Sequence, residues 1–312
     1  MDLIERAETA EINKADERPE LIQKVEQIDK DSLSPEDIEF LYHTIKDFYA
    51  ENLSFVNQDL VKQIPDKIVI QNMDEFIKTQ KQLDPTATEE KLGSSGGCYN
   101  QETDLIYLNP NGSLDSADFL CTILHETFHF VGIKSGNGFS GSNFSLPEKI
   151  SDDEEEDAEM RYYITKGLTT LCEGSTKILD QQAKGSMGFD NSTFQSYVPE
   201  VYLMSRILRA FSDNNDKFDF HNFVRIYFNT PAETIQKTIE ANLIPLGDRE
   251  EFLKSSDHTF DTPSILYSIG VATEKLSEAL DNDDEEAENA IYQDIDEAVQ
   301  YYLDRKEGKD VQ

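Results

Sequence analysis

Apolar and polar positions follow a helical period along most of this chain, interrupted by short β-branched and apolar runs between Lys67 and Leu108. From Phe119 to Val131 the residues Leu120, Ile123, Leu124, Phe128 and Val131 recur at helical spacing and predict a helix with a broad buried surface. Ahead of it the β-branched run Lys67-Ile68-Val69-Ile70 predicts a strand, and Met73 to Leu83 a helix. Gly93 to Gly97 predicts a loop. Cys98-Tyr99 and Leu105-Ile106-Tyr107-Leu108 predict a hairpin turning through Asn100 to Asp104. Ser34-Pro35-Glu36-Asp37 marks a helix start with proline in the first turn, running to Phe48 or Leu53. Downstream the pattern is helical: over 168–178, from Tyr197 through Leu203, over Phe218 to Phe228, and in two helices after Pro263, Ser264 to Leu280 and Glu285 to Asp304. The last carries an apolar stripe of Ile291, Ile295, Val299 and Tyr302 opposite an acidic face. Asn137 to Ser145, rich in Gly, Ser and Asn, predicts a loop. The expected fold is α+β and mostly helical, with a small mixed sheet. It divides into an N-terminal helical segment (1–60), a central domain (61–262) and an acidic C-terminal helical hairpin (263–312).

The chemistry concentrates in the helix at 119–131, where residues 125–129 read His-Glu-Thr-Phe-His. Positions i and i+4 of a helix lie one above the other, so His125 and His129 can present ring nitrogens to one metal ion. Glu126 stands on the neighbouring arc, off the coordination bonds but within reach of a water on the metal. This is the H-E-x-x-H arrangement of a hydrolytic zinc site. The chain holds five histidines, His43, His125, His129, His221 and His258, so chance alone would produce the pattern in roughly one such chain in a hundred. Imidazoles inside an apolar helix also need partners, which a solvent-facing pair would not.

A catalytic zinc site needs a third protein ligand and leaves its fourth position open. The metzincin continuation, H-E-x-x-H-x-x-G-x-x-H, is met at Gly132 and fails at its ligand position, which holds Ser135. Residues 168–178 read Leu-Thr-Thr-Leu-Cys-Glu-Gly-Ser-Thr-Lys-Ile. With the H-E-x-x-H helix upstream, this segment resembles the gluzincin branch of zincin metallopeptidases, above all small bacterial gluzincin-type proteins, in which a Glu-Gly step on a downstream helix supplies the third ligand. The resemblance implies that Glu173 is that ligand. It departs from the family at Cys172, where Asn is common, and at Lys177, where the thermolysin-like branch has an acidic residue behind the ligands. Among uncharged neighbours (Leu168, Leu171, Cys172, Ile178, Leu179), Glu173 is set apart from the acidic run Glu154, Glu155, Glu156, Asp157 and Glu159, of which Glu159 is the next candidate.

The order strand, helix, hairpin, H-E-x-x-H helix is also that of the zincin upper subdomain, so the resemblance spans about residues 60–180 and makes 61–262 a zincin-like metallopeptidase domain. It implies a sheet packed on the active-site helix and a helical lower subdomain. It further implies a hairpin edge at Tyr99 to Leu108 able to pair with extended peptide. The implied reaction is peptide-bond hydrolysis by a Zn²⁺-activated water, with Glu126 as general base and later as proton donor to the leaving amine. An added oxyanion donor would come from Tyr162, Tyr163, Tyr197, Tyr202 or His221, and spacing does not choose among them.

Charge narrows the partners. With 63 acidic and 28 basic residues the formal net charge is −35, which disfavours nucleic acid and anionic membrane surfaces and would attract basic peptides or protein segments. The acidity reads first as a solubility adaptation with no bearing on substrate, and the peptide or protein substrate is what the resemblance implies. The N-terminus opens with a charged segment rather than a signal peptide, and no apolar run approaches the length of a membrane span, which together point to the cytoplasm. Cys98, Cys121 and Cys172 are odd in number and set among apolar residues, which argues against a disulfide framework. Cys121, one turn before His125, reads first as a packing cysteine and second as a thiolate ligand. The alternative to an enzyme is a catalytically inactive zincin-fold interaction protein with a structural or vestigial metal site, the fourth position of a structural site being filled by a protein ligand such as Cys121.

Overall fold

The computed structural model describes residues 19–85, 87–136, 144, 147, 149–189, 198–207, 220–242 and 262–306. The chain forms two compact units, one of residues 8–135 with 179–193, the other of 136–178 and 194–312 with residues 1–7. The described residues are mostly helical with one small mixed sheet, an α+β arrangement.

The first unit begins with α1 (Pro19–Glu26) and α2 (Pro35–Asn52). Helix α2 starts where expected because Ser34 closes a capping box: its hydroxyl accepts from the Asp37 N–H (3.1 Å) while the Asp37 carboxylate accepts from the Ser34 N–H (3.0 Å). Two single-turn helices, Gln58–Val61 and Ile64–Lys67, lead into β1 (Ile68–Ile70). Asn72 then caps α3 (Met73–Leu83), which α4 (Glu89–Gly93) follows. The hairpin is β2 (Gly97–Asn100) and β3 (Leu105–Leu108), turning at Asp104, which adopts a left-handed conformation with φ 57°. The segment expected as a loop over 93–97 is shorter than that. Gly93 closes a helix and Gly97 already pairs with Leu108, the strand being extended by its partner rather than by its own β propensity.

Strand order is β1-β3-β2, with β1 parallel and β2 antiparallel to β3, so β2 is an edge strand among the described residues. Both hairpin strands pack on α5 (Ser116–Lys134), the helix that carries the histidine motif. Asp115 caps it, accepting from the Asp118 N–H at 2.8 Å. Nearly every residue of α5 from Phe119 to Gly132 is buried, which suits a central helix apolar on all sides. Phe128 packs on Phe48 and Tyr49 of α2 (ring centroids 6.0 and 5.8 Å), and Tyr49 donates its hydroxyl proton to Thr127 (3.2 Å). The polar side chains His125, Glu126 and His129 therefore sit inside a core helix, where each must find a partner.

The second unit is helical over most of its described residues. Helix α6 (Glu154–Met187), whose residues from 179 on belong to the first unit, is far longer than the 168–178 segment legible in the sequence, and the acidic run at 151–159 leads into its first turns. The other helices are α7 (Val198–Ile207), α8 (Phe220–Asn229), α9 (Ala232–Asn242), α10 (Thr262–Asp281) and α11 (Glu285–Lys306). The expected C-terminal pair is present as α10 and α11, which meet in a cluster of Leu203, Ala272, Leu276 and Ile295. Glycines allow the close helix approaches. A Cβ on Gly167 would strike the Leu266 carbonyl, one on Gly270 the Tyr163 carbonyl, and one on Gly174 would lie 2.5 Å from the Glu200 carbonyl oxygen. No described helix is long and apolar enough to cross a membrane. The loop expected over 137–145 lies, apart from Phe144, outside the described residues.

Candidate metal centre

Helix α5 sets His125 and His129 one turn apart, and their Nε2 atoms come within 2.9 Å of each other. Both rings are buried, 6 % and 7 % exposed, so water cannot satisfy them. What orients them is visible for His125: its Nδ1 lies 2.8 Å from Asp180 Oδ2, and that carboxylate is itself buried. A carboxylate only accepts, so Nδ1 carries the proton and the lone pair is left on Nε2, facing His129.

Asp180 belongs to α6. Two turns earlier on the same unbroken helix is Glu173, and one carboxylate oxygen of Glu173 with one nitrogen from each histidine forms a group whose atoms all lie within 4.8 Å of one another. A tetrahedral ion with bonds of about 2.0–2.2 Å separates its ligands by about 3.3–3.6 Å, inside the 4.8 Å span of this group. The donor set fits in chemistry too: two imidazoles, one with its tautomer fixed from behind, and one half-buried carboxylate to offset the cation's charge. His125, His129 and Glu173 thus form a group that could hold a metal ion, and the three residues expected as ligands are the three brought together.

Glu126, next to His125 on α5, is 7 % exposed and turns toward β2, where its Oε2 accepts the Tyr99 backbone N–H at 2.6 Å. Tyr99 is held in turn. Its ring packs edge-on against Phe130 (5.6 Å), and its hydroxyl donates to Asp104 (3.0 Å). Burial and the adjoining Asp104 carboxylate push the Tyr99 phenol well above its ordinary range. Burial alone would raise the Asp104 carboxyl, but hydrogen bonds from Lys134, Lys67 and Tyr99 outweigh it and bring the pKa down to about 2.

Around Glu173 the electrostatics are acidic. Glu200, in the first turn of α7, has its carboxyl pushed up by burial against the opposing effects of its own backbone N–H and of Lys166, with Glu173 adding to the rise. Close packing between α6 and α7 depends on Gly174, directly after Glu173.

The remaining candidates fall elsewhere. Glu159 does not join the ligand group; its charge acts on Tyr267, whose ring lies against Tyr163. No cysteine joins it either. Cys121 is buried and Cys98 and Cys172 are half-buried, none of them in a disulfide. Among the expected oxyanion donors, Tyr202 packs on Tyr292, Tyr163 stacks between Tyr162 and Tyr267, and Tyr162 is exposed. Tyr197 and the His221 side chain lie outside the described residues.

Sequence reasoning missed Asp180 and the part played by β2. An acid inside the stripe Ile178, Leu179, Ala183 of an otherwise apolar helix face, seven positions after Glu173, was the available signal for Asp180. A backbone N–H such as that of Tyr99 leaves no signal in a sequence. Set against models of known protein families, curated proteins and solved structures, the chain matches none, and its chemistry is read from its own residues.

Proposed function

We propose that this protein is a zinc-dependent peptidase. The observation that carries the reading is the meeting of His125, His129 and Glu173 within 4.8 Å, with a buried carboxylate, Glu126, on the adjacent helical position. Zinc is the metal that best suits two imidazoles and a carboxylate, and when bound it supplies a Lewis acid for a carbonyl and makes hydroxide available near neutral pH. The rest is work for the chain's own residues. Asp180 holds the Nδ1 proton of His125 and so keeps its Nε2 as a donor of electrons. Glu173, on a second helix, would offset the charge of the cation. Glu126 takes the proton of the attacking water and returns it to the leaving amine nitrogen, so that a poor leaving group departs neutral. A peptide or protein is the fitting substrate for a chain this acidic, basic segments above all.

The test pairs elemental analysis with cleavage of casein by the full chain and by Glu126→Gln. One zinc per chain in both, with cleavage lost in the variant, is the expected result. Equal cleavage by the two proteins removes Glu126 from the mechanism, and zinc bound without any cleavage by the parent leaves a structural metal site in its place.

A further inference from the structure

We infer that the edge strand β2 positions the Glu126 carboxylate, Gly97 by lacking a side chain and Tyr99 by its backbone N–H, so that Gly97 is a positioning residue for the proposed base. The inference rests on the peptidase reading for its catalytic consequence, and on geometry alone for the positioning.

Thr122, Glu126, Phe130 and Lys134 are spaced four apart on α5 and make one stripe along the helix. Each meets β2, the residue before it, or its turn. A Cβ on Gly96 would stand 3.0 Å from Thr122, and one on Gly97 would stand 2.9 Å from Glu126 Cγ, 3.0 Å from Leu108 Cδ2 and 3.2 Å from Thr122 Cγ2. The Tyr99 ring covers Phe130, and Lys134 pairs at 2.8 Å with Asp104, the acceptor of the Tyr99 hydroxyl. The strand thus lies on the helix at contact distance, and at position 97 there is no space for even a methyl group. Glu126 Cγ is the nearest of the three atoms, so a Cβ at position 97 presses first on the Glu126 side chain.

The same close approach delivers the Tyr99 N–H to Glu126. Tyr99 lies on an edge strand, and its N–H is spent on the carboxylate rather than on β3. At 2.6 Å this is a short, charge-assisted bond in a buried setting, which selects one orientation of a side chain that otherwise has many. A general base acts only within hydrogen-bond reach of its proton, and misplacements of about 1 Å lower rates by up to about a hundred-fold. The strand therefore governs how well Glu126 works without touching the ligands of the metal.

Two measurements test this. Hydrogen exchange of the metal-free full chain, read by NMR, compares the parent with Glu126→Ala. The Tyr99 amide should exchange at least roughly ten-fold faster in the variant, as an amide that has lost its acceptor, while the amides of β2 that face β3 keep their protection. Unchanged exchange at Tyr99 overturns the inference. Gly97→Ala should retain zinc with affinity within about two-fold of the parent, yet lose roughly ten- to a hundred-fold in the saturated rate on casein with little change in KM. A full saturated rate in Gly97→Ala also overturns it. If that variant does not fold, the exchange experiment decides. If the parent never cleaves casein, the peptidase reading falls, and the exchange result still decides whether β2 holds Glu126.

Discussion

Asp180 offers the sharpest test of the centre, because it touches the metal group only through His125. Its Oδ2 is 2.8 Å from His125 Nδ1, and the two side chains are 5 % and 7 % exposed. Asp180→Ala leaves the Nδ1–H in a dry pocket without an acceptor. That costs the folded protein about 1–3 kcal/mol and lets the ring lose both orientation and tautomer. Removing a carboxylate behind a ligating histidine typically weakens metal binding about ten- to a hundred-fold, or about 1.4–2.8 kcal/mol. With burial this complete, the loss should approach the upper figure. Asp180→Asn is milder: the amide oxygen still accepts from Nδ1 while the charge is gone, so the expected loss is about ten-fold. Competition with a chromophoric chelator measures both constants on folded protein, so lowered global stability does not imitate the effect. Affinities within about two-fold of the parent for Asp180→Ala would refute the assignment of Asp180 as the residue that sets His125 for a metal.

Other consequences follow from the same coordinates. Asp104 has its folded pKa depressed to about 2, below an ordinary carboxyl near 3.9, so its stabilising effect is complete above about pH 4 and is lost as pH falls toward 2. Asp104→Asn tolerates the left-handed turn and removes only the charge; it should unfold more easily at pH 7, by an amount on the order of 1 kcal/mol given that the group is partly solvated, with the difference from the parent vanishing near pH 2 in denaturant titrations. Gly174→Ala drives a methyl group against the Glu200 carbonyl and should cost about 1–3 kcal/mol while also disturbing the neighbouring Glu173, seen as a lowered Tm and weaker zinc binding; unchanged values for both would mean that α7 shifts freely. Chelation should lower Tm by several degrees, since an ion at a hundred times its Kd contributes about 2.7 kcal/mol, and Glu173→Gln should abolish most of that difference.

How much of this was legible in the sequence depends on the range of the contact. His125 and His129 are four residues apart on a helix whose apolar pattern is strong, so their pairing is local and could be read directly. The capped start of α2 and the hairpin were legible for the same reason. Helix α6 was read over only part of its length because Gly167, Gly174 and Gly185 lower its helix propensity. Two of those glycines are required by close backbone approach from other helices, a tertiary demand that overrides propensity. The His125–Asp180 bond joins positions 55 apart, and only the docking of α6 creates it. Gly97 reads as a loop glycine for the same reason: nothing in Ser-Ser-Gly-Gly-Cys states that a helix carrying Glu126 lies against it.

The spacing between Glu173 and Asp180 explains how the chain can lack an acid at Lys177 and still secure His125. Seven helical residues complete two turns and advance about 10 Å, so both carboxylates leave α6 on one side. Asp180 takes the 2.8 Å hydrogen bond at His125 Nδ1, and Glu173 joins the group of ligand atoms that lie within 4.8 Å of one another. One helix therefore carries both the carboxylate that grips His125 at Nδ1 and the one that joins the ligand group. A consequence is that the two grips cannot be adjusted separately. Any change that bends α6 between positions 173 and 180, such as Thr176→Pro, should weaken metal binding more than Asp180→Ala does, because it disturbs ligand and support at once. A smaller loss of zinc affinity in Thr176→Pro than in Asp180→Ala, measured by the same chelator competition on folded protein, would show that the two carboxylates act independently.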